Sequence, residues 1–304
     1  MYHKPVMLTE CLDGLNIKPE GTYVDVTFGG GGHSLAMLER IKGGRLIAFD
    51  QDADAEAEAS KINHSSFTFC KANFRYMKQY LKLNGVTSVD GILADLGISS
   101  HQIDSPRRGF STRFDGPLDM RMDQSAKTTA SKILNEFPET ELHKIFGMYG
   151  ELKNARTVAK EIVAQRTVKP FVTTLDLKSA LNKLAPRGKE NKYFAQVFQA
   201  LRLVVNEELR ALEDFLHQCA EVTSTEGRLV VMSYHSLEDR MVKNFINTGK
   251  VFGELEKDFF GNPIRPFVAV NRKVIEATEE ETLENNRARS AKLRIAQRTA
   301  NNEQ

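Results

Sequence analysis

Asp25-Val26-Thr27-Phe28-Gly29-Gly30-Gly31-Gly32-His33-Ser34 closes one apolar run, Thr22 to Thr27, and opens a helical one, His33 to Ile41. Glycines at such a junction let the backbone turn tightly and approach a ligand without a Cβ in the way. The chain then repeats the alternation. Arg45 to Asp50 reads as a second strand and the Ala/Glu-rich stretch Asp52 to Lys61 as a helix. Phe67 to Cys70 is a third strand, Phe74 to Leu83 a helix and Val89 to Asp95 a fourth strand. Strands separated by helical segments predict a parallel, doubly wound α/β sheet.

The alternation stops after Asp95. Ser105 to Asp123 is polar and arginine-rich, and helical stretches follow with no strands between them. Leu152 to Arg166 has helical spacing, and Thr173 with Asp176 predicts a capping pair for a helix to Leu184. A long helix is expected next, carrying Phe194, Val197, Phe198, Leu201, Val205, Leu209, Leu212 and Leu216 on one face. Strand character returns at Gly227 to Ser233. Ser236, with Glu238 and Asp239 behind it, is the expected N-cap of a helix to Asn247. Pro266 to Val274 reads as another strand or strand pair. The expected organisation is an α/β domain, residues 1–104 and 206–304, interrupted by an inserted helical domain, residues 105–205.

The 304 residues are 41% hydrophobic and 27% charged, with a net charge of +2. This is a globular composition, and the longest apolar runs are far short of the ~20 residues that span a bilayer. Met1 to Pro5 has no apolar core, so no secretion signal is expected. Cys11, Cys70 and Cys219 lie far apart, which excludes a disulfide framework or CxxC zinc site and suits a reducing cytoplasm. The seven histidines are equally dispersed, and no metal centre is expected. Ser105 to Val205 holds eighteen Lys+Arg and ten Asp+Glu, a charge of +8, leaving −6 for the remainder. A basic block in a mildly acidic chain suggests an anionic partner.

Asp50 ends the second strand about 20 residues after the glycine turn, where a carboxylate can accept hydrogen bonds from both hydroxyls of a ribose. An adenosine-containing cofactor is therefore expected across the strand ends. A dinucleotide would require G-x-G-x-x-G, but the third position is Ser34. An acid just before the glycines, Asp25, suits the ammonium of S-adenosylmethionine, which needs no phosphate cradle. Asp95 ends the fourth strand, where open α/β sheets border their ligand crevice.

The motifs resemble those of the MraW/RsmH-type S-adenosylmethionine-dependent methyltransferases. The matching stretches are His3-Lys4-Pro5-Val6-Met7-Leu8, the turn Asp25 to Ser34, Asp95-Leu96-Gly97-Ile98-Ser99-Ser100, Arg108-Gly109-Phe110-Ser111 and Asp115 to Asp123. Further on come Phe198 to Arg202, Val205 to Leu209, His235-Ser236-Leu237-Glu238-Asp239-Arg240 and Arg287-Ala288-Arg289-Ser290. They occur in order over nearly the whole chain. The resemblance implies a Rossmann-like fold and methylation of the exocyclic N4 of a cytidine in the decoding region of small-subunit (16S) ribosomal RNA. It implies cofactor contacts at Gly31, Gly32, His33, Asp50, Phe74, Asp95 and Gln102. Departures are Tyr234 where the family usually has Phe, Asn286 for a Pro, and Phe194-Ala195-Gln196-Val197 where an arginine is usual.

Methyl transfer to an amine is an in-line displacement in which the protein mainly aligns the nucleophile. The cytosine amine is a poor one, so Asp95 is the candidate acceptor for its N–H bonds. Tyr234 or His235 would pack on a base drawn out of its stack. Arg107, Arg108, Arg287 and Arg289 are candidate phosphate contacts. Competing readings are a nicotinamide-dependent oxidoreductase and a non-enzymatic RNA-binding ribosome assembly factor.

Overall fold

In the central strands nearly every residue is apolar and buried, because both faces of the sheet are covered. Ile47, Phe49, Ile92, Ala94, Leu229 and Val231 pack into one core with Met77, Leu81, Leu212, Phe215, Leu216 and Phe245. Their alternating neighbours Leu46, Leu93, Val230 and Met232 pack into another with Cys11, Leu15, Met37 and Leu38. This period of two, with both phases apolar, is what makes these runs continuous in the sequence. The computed structural model describes residues 5–300; His3 and Lys4 of the first motif lie outside the described residues.

The strands are β1 (Thr22–Asp25), β2 (Arg45–Asp50), β3 (Phe67–Lys71), β4 (Val89–Asp95), β5 (Thr223–Ser233), β6 (Phe267–Ala269), β7 (Ile275–Glu276) and β8 (Lys292–Arg298). They form one sheet in the order β3-β2-β1-β4-β5-β8-β6, with β7 also on β8. β1 to β5 are parallel, and β8 runs antiparallel between β5 and β6. The expected mostly parallel, doubly wound sheet is present. β8 was not anticipated. Its Lys292, Arg294, Gln297 and Arg298 interrupt the apolar pattern, while Leu293, Ile295 and Ala296 supply the buried positions.

The chain divides into two compact units, one from the N-terminus to Gly97 and from Leu209 onward, the other Ile98–Glu208. The second unit thus begins seven residues before the expected 105 and ends three after 205. Its first element is the helix Ser100–Asp104, capped by Ser99, which lies outside the expected insertion. This unit is helical. Ile133, Leu142, Phe146, Val158, Ile162, Leu177, Leu181, Val197 and Leu201 fill a core of its own. Thr173 and Asp176 form the expected capping box.

The single long helix expected through Leu216 is two helices, Glu190–Val205 and Glu208–Val222. The break lies at Asn206 and Glu207. Asn206 Nδ2 donates to Met120 O, its Oδ1 accepts from Met122 N, and Glu207 adopts a left-handed φ of 48°. The apolar stripe persists across the break because each half serves a different core. A further correction concerns the helix Ser236–Thr248, whose N-cap is His235 and not Ser236.

Candidate active site

The turn after β1 is held by its own side chains. Asp25 is 1% exposed. Its Oδ2 accepts from Ser34 Oγ at 2.7 Å and its Oδ1 from Thr27 N at 3.1 Å. Burial raises its pKa, opposed by the nearby His33 and by these donors. The carboxylate is thus committed to tying the strand end to the first turn of the helix Gly32–Arg40. Asp25, expected near the cofactor's ammonium, is almost wholly covered by its neighbours, and its visible role is to shape the turn.

Gly31 caps that helix with a φ of +79°, and a Cβ there would stand 2.7 Å from Phe28 Cζ. At Gly32 a Cβ would stand 2.3 Å from Pro5 Cγ. The glycines therefore answer to both backbone conformation and space. His33 follows, buried, its Nε2 donating to Val6 O at 3.1 Å and its Nδ1 4.0 Å from Asp95 Oδ2.

Asp50, at the end of β2, accepts from Gly29 N through Oδ2 and from Asp52 N through Oδ1, each at 2.9 Å. Burial raises its pKa to about 6 against those two bonds. Each oxygen receives one of these N–H bonds, and an ionised carboxylate has lone pairs for more. Ala72 N donates to Asp50 O, so the segment carrying Phe74 starts beside it. The Phe74 ring lies edge-on to Phe215, centroids 5.4 Å apart, and is only partly buried.

Asp95 ends β4. Its backbone N donates to Thr27 Oγ1 at 2.6 Å, and its Oδ1 accepts from the Tyr234 hydroxyl at 2.8 Å. Burial raises its pKa to about 6, with His33 and Tyr234 pulling down. The Tyr234 hydroxyl is pushed well above its usual range by burial and by Asp95. Beneath lies Cys11, fully buried, its thiol raised by burial and by the charges of Asp95 and its neighbours. The turn, Asp50, Asp95 and Tyr234 thus meet at the carboxyl ends of β1, β2, β4 and β5. Because β2 lies on one side of β1 and β4 on the other, this is the switch point at which such sheets bind ligands.

A model of the MraW methylase family matches residues 1–299. The chain belongs to this family. It is 59% identical to the ribosomal RNA small subunit methyltransferase H of Cytophaga hutchinsonii over 98% of this chain and all of that one. The Amoebophilus asiaticus protein of the same description is 53% identical, covering 98% and 96%. That of Flavobacterium johnsoniae is 52% identical over 98% of each chain. Membership of a methylase family makes the chain a methyltransferase and sets aside the nicotinamide and non-enzymatic readings.

The remaining residues implied by the family resemblance fall out unevenly. Gln102, in the Ile98–Glu208 unit, is buried, and its Oε1 accepts from Ser99 N in a capping box. Arg107 is exposed, but Arg108 is 6% exposed and gives Nη2 to the carbonyls of Arg121 and Met122, each at 3.1 Å. Arg108 is thus a buried clamp on the loop after it, which corrects its assignment as a phosphate contact. Arg289 is exposed and Arg287 half-buried. His235 faces its own helix: Nδ1 lies 3.5 Å from the Glu238 N–H, and Nε2 lies 3.1 Å from Glu238 Oε1 without hydrogen-bond alignment. The contact at Nδ1 orients the ring at the start of its helix. Sequence reasoning missed Thr27 and Glu238. Glu238, 2% exposed, accepts from Tyr234 N at 3.3 Å and so fixes the turn that presents Tyr234. Only its place in the His-Ser-Leu-Glu-Asp-Arg motif hinted at this.

Proposed function

We propose that this chain transfers the methyl group of S-adenosylmethionine to the exocyclic N4 of a cytidine in the decoding region of small-subunit ribosomal RNA, acting in the cytoplasm. The observation that carries the reading is the pair Asp50 and Asp95, at the strand ends flanking β1 in a chain of the MraW methylase family. The residues present fit the cofactor. Asp50 has lone pairs for two ribose hydroxyls. The glycine turn, with Gly29 and Gly31 at positive φ, puts backbone without side chains at the end of β1. Phe74 begins beside Asp50, on the side where an adenine would lie. S-adenosylmethionine supplies a methyl group already activated on a sulfonium.

The protein's part is alignment and proton handling. Asp95 accepts an N–H of the cytosine amine and so localises its lone pair, with Tyr234 holding the carboxylate through Oδ1. A pKa of about 6 leaves Asp95 mostly ionised at neutral pH, able to take the proton lost when the N–C bond forms. Thr27 and Glu238 position these two groups. Arg107, Arg287 and Arg289 contact phosphates, and the charge of +8 over Ser105 to Val205 attracts the RNA.

The test is methylation of small subunits lacking this modification, with the product nucleoside identified by mass. N4-methylcytidine supports the reading. Methylation on a ring carbon, or none with cofactor bound, sinks it.

A further inference from the structure

Between the helix Ser236–Thr248 and β6 the chain folds into a short hairpin. It is closed by the Lys257–Pro263 bridge and by Ile264 N donating to Glu256 O at 2.8 Å. At its tip Phe259 is 97% exposed and Phe260 74% exposed, the rings edge to face with centroids 5.5 Å apart. Phe252 and Ile264 nearby are also exposed. The tip is built to hold this arrangement. Asp258 Oδ1 accepts from Phe260 N and Asn262 N at 2.9 and 2.8 Å, and its Oδ2 accepts from Asn262 Nδ2 at 2.9 Å. Gly261, at φ +86°, donates its N–H to Asp258 O at 3.0 Å. Two large apolar rings are therefore displayed on a loop whose hydrogen bonds are spent on its own shape.

The hairpin is charge-balanced, but its cations are not all held in ion pairs. Asp258 is turned onto the tip's N–H groups, and Glu256 is paired with Lys250. Lys257 is exposed and forms no ion pair among the described residues. Arg265 gives one N–H to Asn247 O, and Glu254 is the remaining acid of the hairpin. With Glu256 paired to Lys250 and Asp258 still ionised, Lys257 and Arg265 balance Glu254 and Asp258, and Lys257 is left as an exposed cation beside the rings with no ion pair among the described residues. A preformed aromatic pair beside an uncommitted cation suits single-stranded nucleic acid. Bases stack on aromatic faces whatever their sequence, and a rigid ring loses little freedom on binding.

We propose that Phe259 and Phe260 are a stacking platform for unpaired bases of the RNA substrate, with Lys257 on the adjoining phosphate. The proposal rests on the rRNA methyltransferase reading above. The platform is an anchor and not part of the reacting site. The helix Ser236–Thr248 starts at His235, beside Tyr234, and carries the chain about 20 Å to the other end of the sheet before the hairpin begins.

The test compares F259A/F260A, F259L/F260L and F259W/F260W with the parent, using isolated small-subunit ribosomal RNA as probe. Stacking is worth roughly five- to 150-fold in affinity per base. The alanine pair should weaken RNA binding at least about tenfold. The leucine pair should weaken it comparably, because leucine keeps apolar area but has no ring face, and the tryptophan pair should retain it. Thermal melting and calorimetric affinity for S-adenosylmethionine should not move. Undiminished RNA affinity in the alanine pair overturns the proposal. So does full recovery by leucine, which would indicate an apolar protein pocket, or loss of self-association by sedimentation with RNA affinity intact. A parent protein that fails to bind the RNA at all defeats the functional reading instead.

Discussion

The Tyr234 hydroxyl donates to Asp95 Oδ1 across 2.8 Å, joining the carboxyl ends of two neighbouring parallel strands. The family resemblance implies phenylalanine here, so Tyr234 adds a donor to the carboxylate proposed to face the reaction. A hydrogen bond to the charged form lowers an acid's pKa. Tyr234→Phe should therefore fold and stay active, with the acid limb of its kcat/KM–pH profile displaced to higher pH. An unmoved limb would separate Asp95 from the proton step.

Asp50 gives two effects of opposite sign. Its folded pKa, about 6, lies above its unfolded value, so the native state binds the proton more readily. Stability of the cofactor-free protein should rise from this group as pH falls from about 6 toward about 4. Cofactor affinity should fall over the same range, because only the carboxylate accepts both ribose hydroxyls. Asp50→Asn should bind S-adenosylmethionine at least about tenfold more weakly at pH 7.5, given ~1.5–3 kcal/mol per charged hydrogen bond, and with a flatter dependence below pH 6.5. Calorimetry across that range decides it.

Arg107 and Arg108 are adjacent but should behave as different kinds of residue. Arg108→Ala removes a buried guanidinium and its bonds to the carbonyls of Arg121 and Met122, at about 1–3 kcal/mol, and should lower the melting temperature. Arg107→Ala should melt like the parent. It should reduce the log–log salt slope of RNA binding by about 0.7–0.9, the share of one phosphate contact. Equal melting of the two variants would contradict this division.

Glu238→Ala should reach the reaction through Tyr234. With the Tyr234 N–H left unpaired, kcat should drop while cofactor affinity holds, and Glu238→Gln, which keeps an acceptor oxygen, should recover most of the loss. A matched fall in cofactor affinity would indicate general damage to the fold.

Cys11 is the thiol nearest the site, yet burial and the surrounding carboxylates keep it protonated. A thiol so raised is a poor nucleophile. Cys11→Ala should therefore still yield the amino-methylated product. Abolished transfer in a folded, cofactor-binding variant would revive a covalent route through a ring carbon.

The sequence by itself determined the α/β class, the parallel core and the acids at the strand ends. Those features are local: an apolar run of strand length, a glycine turn, an acid at the last strand position. The capping box of Thr173 and Asp176 was legible for the same reason. Tertiary structure alone decided how each polar group is spent. Asp25 and Asp50 look equivalent in the sequence, but Asp25 is almost wholly covered, whereas Asp50, bonded to as many donors, stays partly exposed. Arg108 reads like Arg107 until the carbonyls thirteen and fourteen residues on close over it. The break at Asn206 was invisible because its hydrogen-bond partners, Met120 and Met122, lie more than eighty residues away. Strand β8 was missed because its pattern acquires meaning only between β5 and β6. Burial and hydrogen-bond commitment depend on partners distant in the chain, and local spacing carries no record of them.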